Sequence, residues 1–189
     1  MSDQAYIRIF ICFELPHDIL ERIREIQDDL KSAGHGVRWV NPKGIHLTLK
    51  FLGDVEKSRV PQIADAVKSV AAGCKPMTIG IRGTGVFPNS RNPRVFWIGV
   101  DEPSGALANC QNAVEGACEA LGYPREKRKF SPHLTLGRVN EHADVRDVAG
   151  RLLNLDPEPM EFTASEIVIM QSILKQTGAE YKPLYPITI

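Results

Sequence analysis

The tetrapeptide His-Leu-Thr-Leu occurs twice, at His46–Leu49 and at His133–Leu136. The copies start 87 residues apart in a chain of 189 residues. Each sits in apolar, strand-like sequence with a basic residue close behind it, Lys50 or Arg138. A motif repeated at nearly half the chain length predicts two similar halves that offer the same surface to one cleft. That expectation limits the fold more than any other feature of the chain.

The patterning around the motifs repeats as well. Tyr6–Leu15 is β-rich and ends at Pro16, and His17–Ala33 has apolar residues at helical spacing (Ile19, Leu20, Ile23, Ile26, Leu30). Strands are expected at Val37–Val40, Ile45–Leu52 and Met77–Ile81, with a helix over Lys57–Ala72 stopped by Gly73. The second half follows with a strand at Arg94–Val100, a helix at Ser104–Leu121, a strand at His133–Val139, a helix at Asp144–Leu155 and a strand at Phe162–Met170. The same β-α-β-α-β order in both halves predicts an α+β protein, read as one bilobal domain over 1–189 with a repeat near 5–87 and 92–174. Turn-rich loops are expected at Gly83–Pro93 and Tyr123–Pro132.

Composition narrows the class. With 23 basic and 23 acidic residues the net charge is zero, so no global field draws long nucleic acid, while a small anion or an RNA end stays compatible. The first five residues lack the pattern of a signal peptide, and no apolar run nears the roughly 18 residues that span a bilayer. Cys12, Cys74, Cys110 and Cys118 show no metal-like spacing and are read as reduced thiols, with Cys110 and Cys118 facing a core. The expectation is a cytoplasmic protein, with no membrane segment and nothing that asks for assembly beyond a monomer.

Side chains alternate along a strand, so His46 and Thr48 share one face and Leu47 and Leu49 the other. The leucines are expected to enter the core and leave imidazole and hydroxyl exposed, with the same arrangement at His133 and Thr135. An imidazole with a pKa near 6.5 can give or take a proton near neutrality. Two of them on opposite sides of a phosphorus can serve as acid and base, while the Thr hydroxyls hold the non-bridging oxygens. No carboxylate cluster for Mg²⁺ and no His/Cys set for zinc is evident, so a metal-free reaction without a cofactor is expected. Seven Thr in 189 residues place one two positions after a given His by chance about 4% of the time, so a single motif is weak evidence and the matched pair is strong.

The paired motifs resemble those of the two-histidine (2H) phosphoesterase superfamily. Within it the chain is similar to the RNA 2′,3′-cyclic phosphodiesterase branch. The resemblance runs through RIFICFELP (8–16), HLTLKFLGDV (46–55), NPRVFWIGV (92–100) and FSPHLTLGRV (130–139). It implies two antiparallel sheets lining a central groove, helices on the outside and pseudo-twofold symmetry. It implies hydrolysis of 2′,3′-cyclic phosphates on RNA ends or small nucleotides to 2′-phosphates, and a reverse 2′-5′ ligation where the ester exchange is near balance. It also suggests His46 as proton donor, His133 as proton acceptor, Arg138 on the phosphate and Phe51 against a base. Spacing alone leaves the two histidine roles open, because the motifs are equivalent.

Strict alternation puts Phe51 and Arg138, each five residues after its His, on the wrong face unless the strand bulges. It gives Lys50 the parity to face the groove. The run Arg125, Lys127, Arg128, Lys129 reads equally well as a solvated loop or an attraction for an RNA backbone. Phe130, Trp39 and Trp97 read as mainly structural, and His17, His35 and His142 receive no role. Two further functions stay open: a binding module for nucleotides or RNA ends that does not turn over, and a phosphodiesterase for another cyclic or 2′–5′ linkage.

Overall fold

The computed structural model describes residues 5–176 and 178–189. Among these the chain forms nine strands and four α-helices: β1 Tyr6–Glu14, α1 His17–Ser32, β2 Val37–Trp39, β3 His46–Glu56, α2 Val60–Ala71, β4 Met77–Phe87, β5 Val95–Asp101, α3 Ala106–Ala120, β6 His133–Val139, α4 Arg146–Leu153, β7 Met160–Ala164, β8 Glu166–Lys175 and β9 Gly178–Thr188. The strands make two antiparallel sheets, ordered β3-β1-β8-β9 and β2-β6-β5-β4-β7. The expected α+β class with two antiparallel sheets is what the chain adopts.

The sheets do not follow the two halves of the sequence. The third strand of each half crosses over: β4 pairs with β5, and β8 pairs with β1. Short β2 also leaves the first half to pair with β6. The predicted strand Phe162–Met170 is therefore two strands, broken at Ser165, with β7 in one sheet and β8 in the other. Buried apolar residues lie on both sides of the break. The predicted loop from Gly83 begins too early, since β4 continues to Phe87 past a ladder irregularity between Ile81 and Thr84. Strand β9 lies in a tail whose Pro183 and Pro186 speak against a strand; as the edge of its sheet it tolerates them.

The helices cross over in the same sense. Helix α3 packs on β3 and α2 on β9, whereas α4 packs on β4 and on α1. One continuous apolar core collects Ile9, Ile11 and Phe13 of β1, Ile19, Ile23 and Leu30 of α1, Val114 and Cys118 of α3, and all four motif leucines (Leu47, Leu49, Leu134, Leu136). A second, small cluster of Phe10, Cys12, Val168 and Met170 lies apart from it, on the other face of the β1–β8 pair, with Tyr181 against it. Burial pushes the thiols of Cys110 and Cys118 up to about 12 and about 11, as expected for inert core cysteines. Among the described residues no helix is long and apolar enough to cross a membrane.

Both motif strands carry a bulge at the same place. Along β1 and β3, Cys12 lies opposite Thr48 and Ile11 opposite Lys50, which leaves Leu49 as the extra residue. Along β5 and β6, Trp97 lies opposite Thr135 and Phe96 opposite Gly137, which leaves Leu136 extra. One extra residue reverses the alternation beyond it, so the two positions at the bulge both point inward and the next points back out. Leu49 and Lys50 are both buried and Phe51 is 62% exposed; Leu136 and Gly137 are both buried and Arg138 is exposed. Only glycine fits at 137, where a Cβ would stand 2.6 Å from Val37 Cγ1.

Lys50 consequently does not face the groove. Its Nζ donates at 2.6 Å to Glu115 Oε2 and at 2.9 Å to the Pro124 carbonyl, with the two charged side chains 3% and 6% exposed. Glu115 also accepts from the Glu126 amide at 3.2 Å, which ties down the start of the basic loop. Removing one member of such a pair leaves a dry, unmatched charge. Glu115→Leu should therefore cost about 3–5 kcal/mol, seen in urea unfolding. Adding Lys50→Met should recover most of that loss. A double variant as unstable as the single one would reject the pairing.

Candidate active site

Each motif histidine is held by the backbone two residues before it. His46 Nδ1 lies 2.7 Å from the Gly44 carbonyl, and His133 Nδ1 lies 2.8 Å from the Ser131 carbonyl. A carbonyl only accepts, so Nδ1 carries the proton in both rings and Nε2 is left for chemistry. In the first copy a short 3-10 turn, Pro42–Gly44, sets this carbonyl, and Asn41 Oδ1 caps it by accepting from the Lys43 amide at 3.1 Å. The two motifs therefore present the same nitrogen from the same local geometry.

The ring environments differ. Phe10 stacks on His46 with centroids 4.4 Å apart and planes at 25°, and Tyr181 meets it edge-on at 5.1 Å. Tyr181 packs so tightly on the capping turn that a Cβ at Gly44 would stand 3.0 Å from its ring. Enclosed in this way, His46 holds its proton weakly: burial lowers its pKa from 6.5 to about 4, although the Gly44 carbonyl pulls the other way. His133 meets one aromatic neighbour edge-on, Phe87 at 5.0 Å, which is backed by Trp97.

Strands β3 and β6 are in direct contact. Tyr181 links the two motifs: it touches His46, and the charge of Arg138 partly offsets the upward push of burial on its hydroxyl. The charge of Arg8 acts on it in the same sense. Arg138 thus stands near the first motif although it belongs to the second. Phe51 lies on the His46 face too, its ring 5.6 Å from Phe10. Thr48 and Thr135 are half-buried beside their histidines. The bulges remove the parity objection to Phe51 and Arg138.

Other residues fall elsewhere. Arg125 is engaged by Glu119 at 2.8 Å and by Asn112 at 2.8 Å, which makes it a structural residue of its loop. Phe130 packs on the main core, as does Trp39. Four neighbours of the site escaped the sequence reading: Phe10, Tyr181, Phe87 and Arg8. Phe10 sits in a strand apolar on both faces, so alternation gave no signal. Tyr181 lies in the proline-punctuated tail, where no strand was expected.

Two antiparallel sheets, each carrying a His-x-Thr strand and meeting where those two strands touch, define a two-histidine phosphoesterase architecture. The chain belongs to the 2′-5′ RNA ligase superfamily, whose family model matches residues 15–175. It is 35% identical over 178 residues to an RNA 2′,3′-cyclic phosphodiesterase of Methanothermobacter thermautotrophicus, covering 93% of this chain and 95% of that protein. It is 34% identical over 179 residues to the protein of the same name from Archaeoglobus fulgidus, covering 94% and 98%. Among solved structures, a Thermus thermophilus protein superposes with a TM-score of 0.80 at 25% identity over 96% of this chain and 97% of that one. Escherichia coli LigT, crystallised with 3′-AMP, shares the fold with a TM-score of 0.79 at 22% identity, over 97% and 98%.

The enclosure of His46 has a measurable consequence. Its proton affinity is lower in the folded chain than in the unfolded one, so protons favour unfolding between pH 6.5 and about 4. The stabilisation from keeping this ring neutral is complete above pH 6.5 and is lost as pH falls toward about 4. In a proton NMR titration of the free protein, the His46 ring should titrate near pH 4. Added inorganic phosphate should raise that midpoint, because an anion favours the charged ring. A His46 midpoint at or above 6.5 in the free protein would contradict the enclosure.

Proposed function

We propose that this chain hydrolyses 2′,3′-cyclic phosphodiesters on RNA ends or small nucleotides to 2′-phosphates, using its two imidazoles as acid and base and no metal. One observation carries the reading: both motif histidines are anchored through Nδ1 to the carbonyl two residues earlier, which leaves Nε2 of each for chemistry. The name shared by full-length relatives at 30% identity and above supports the substrate class. Water attacks phosphorus as the bond to the 3′-oxygen breaks. One imidazole takes the water proton, and the other gives a proton to the departing oxygen. Thr48, Thr135 and Arg138 would hold the non-bridging oxygens as their charge grows, and Phe51 offers an exposed ring to a base. The same reading makes the protein a cytoplasmic monomer, its cytoplasmic part supported by four unpaired cysteines. Reverse 2′-5′ ligation follows wherever the ester exchange is near balance.

We assign His46 as the acid and His133 as the base. The low proton affinity of His46 then requires the substrate's anionic phosphate to supply the charge that protonates it. The reverse assignment has one observation in its favour, since a neutral ring is already a competent base. A leaving group that needs no proton separates the two. With a 3′-bridging sulfur in the cyclic ester, His46→Ala should regain most of its activity and His133→Ala should not. Rescue of His133→Ala in place of His46→Ala would exchange the roles.

On the oxygen substrate, His46→Ala and His133→Ala should each lower turnover by roughly 10²–10⁴, the usual share of general acid–base catalysis. Wild-type activity should survive EDTA. Phosphorus NMR of the product from adenosine 2′,3′-cyclic phosphate should show a 2′-monophosphate. Substrate that stays intact would identify a binding module, and loss of activity in EDTA with rescue by a divalent ion would end the metal-free mechanism.

A further inference from the structure

Two buried glutamines occupy equivalent places in the two halves. Gln27 lies on the buried face of α1 and Gln111 on that of α3, 0% and 9% exposed. Gln27 Nε2 donates to the Leu136 carbonyl at 2.8 Å and to the Val40 carbonyl at 2.9 Å. Gln111 Nε2 donates to the Leu49 carbonyl at 3.3 Å and to Glu115 Oε1 at 3.3 Å. Leu136 and Leu49 are the extra residues of the two bulges. Each helix therefore braces the motif of the opposite half.

A bulge takes its extra residue out of the regular ladder, so that carbonyl needs a partner from outside. The Leu136 carbonyl also accepts from the Val40 amide at 2.9 Å, so an apolar side chain at 27 would strip one of its two partners. At 111 it would take the side-chain donor from the Leu49 carbonyl, and a carboxylate at either place would set oxygen against oxygen. An amide is neutral and has two N–H groups to donate. At Gln27 both point at carbonyls, while its own Oε1 is buried without a partner among the described residues. An orphaned buried acceptor is a cost that a side chain selected for stability alone would shed.

We infer that Gln27 and Gln111 are positioning residues of the two-histidine site. By holding the bulge carbonyls, Gln27 keeps Arg138 turned onto the histidine face and Gln111 does the same for Phe51. The kinetic part of this inference rests on the function proposed above.

Four proteins test the first brace: wild type, Gln27→Met, Arg138→Ala and the double variant, assayed with adenosine 2′,3′-cyclic phosphate. With Arg138 present, Gln27→Met should lower kcat/KM on the order of tenfold, mostly through KM, because it acts through a phosphate contact. With Arg138→Ala in place, the same change should alter kcat/KM by less than about twofold, although the melting temperature falls equally in both backgrounds. Equal kinetic losses in both backgrounds would make Gln27 a stability residue and overturn the inference. Should Gln27→Met fail to fold, Gln111→Met with and without Phe51→Ala carries the same test. Amide hydrogen exchange across residues 134–139 gives a readout without turnover: Gln27→Met should speed it on the order of tenfold while the rest of the sheet is unchanged. Unchanged exchange there would also overturn the brace. A wild type that leaves the cyclic ester intact would sink the functional reading, and the exchange result would still decide whether the bulge is held.

Discussion

The site depends on a single extra residue in each of two strands. A regular strand starting at His46 or His133 would show imidazole and hydroxyl on one face and send the fifth residue into the core. The bulges at Leu49 and Leu136 reverse that parity, so Phe51 and Arg138 turn to the same side of their strands as the histidine and threonine before them. They do so by turning two consecutive positions inward, which the fold must then accommodate. It gives Lys50 a buried carboxylate partner in one copy and uses a glycine at 137 in the other. The same local device thus has two different solutions beneath it, each shaped by the neighbour that lies there.

Strand and helix exchange between the halves gives the two motifs a shared scaffold. Because β4 and β8 each cross to the other sheet, neither sheet is built from one half of the sequence. Helices α1 and α3 cross as well, and their apolar faces meet in one core that takes in all four motif leucines. One core therefore supports both motifs, and packed interiors of this kind respond to changes of even one methylene. The two motif strands it supports begin 87 residues apart in the sequence.

The symmetry ends at the rings. His46 is stacked on Phe10 and edged by Tyr181, whereas His133 meets Phe87 edge-on. Burial alone separates the first ring from an ordinary imidazole, by weakening its hold on a proton. Identical tetrapeptides thus come to unlike surroundings, and the difference lies in the rings packed around each imidazole. Tyr181, from a strand with no counterpart in the reading of the sequence, contributes to the difference.

Much of this was legible in the residues themselves. The repeated His-Leu-Thr-Leu, the buried leucines and the α+β class follow from side-chain period and motif spacing, because both depend on positions close in sequence. Motif resemblance also pointed to Arg138 and Phe51, against strict alternation. What the linear chain could not show is what depends on partners far along it. The bulges are defined by the strand opposite, the break at Ser165 by which sheet each segment joins, and the inward turn of Lys50 by Glu115 on a distant helix. The unequal histidines arise from aromatic rings that packing alone brings together. Local chemistry was written in the sequence; the tertiary structure decided the direction each side chain faces, because a strand's parity is set by its neighbours as well as by its own residues.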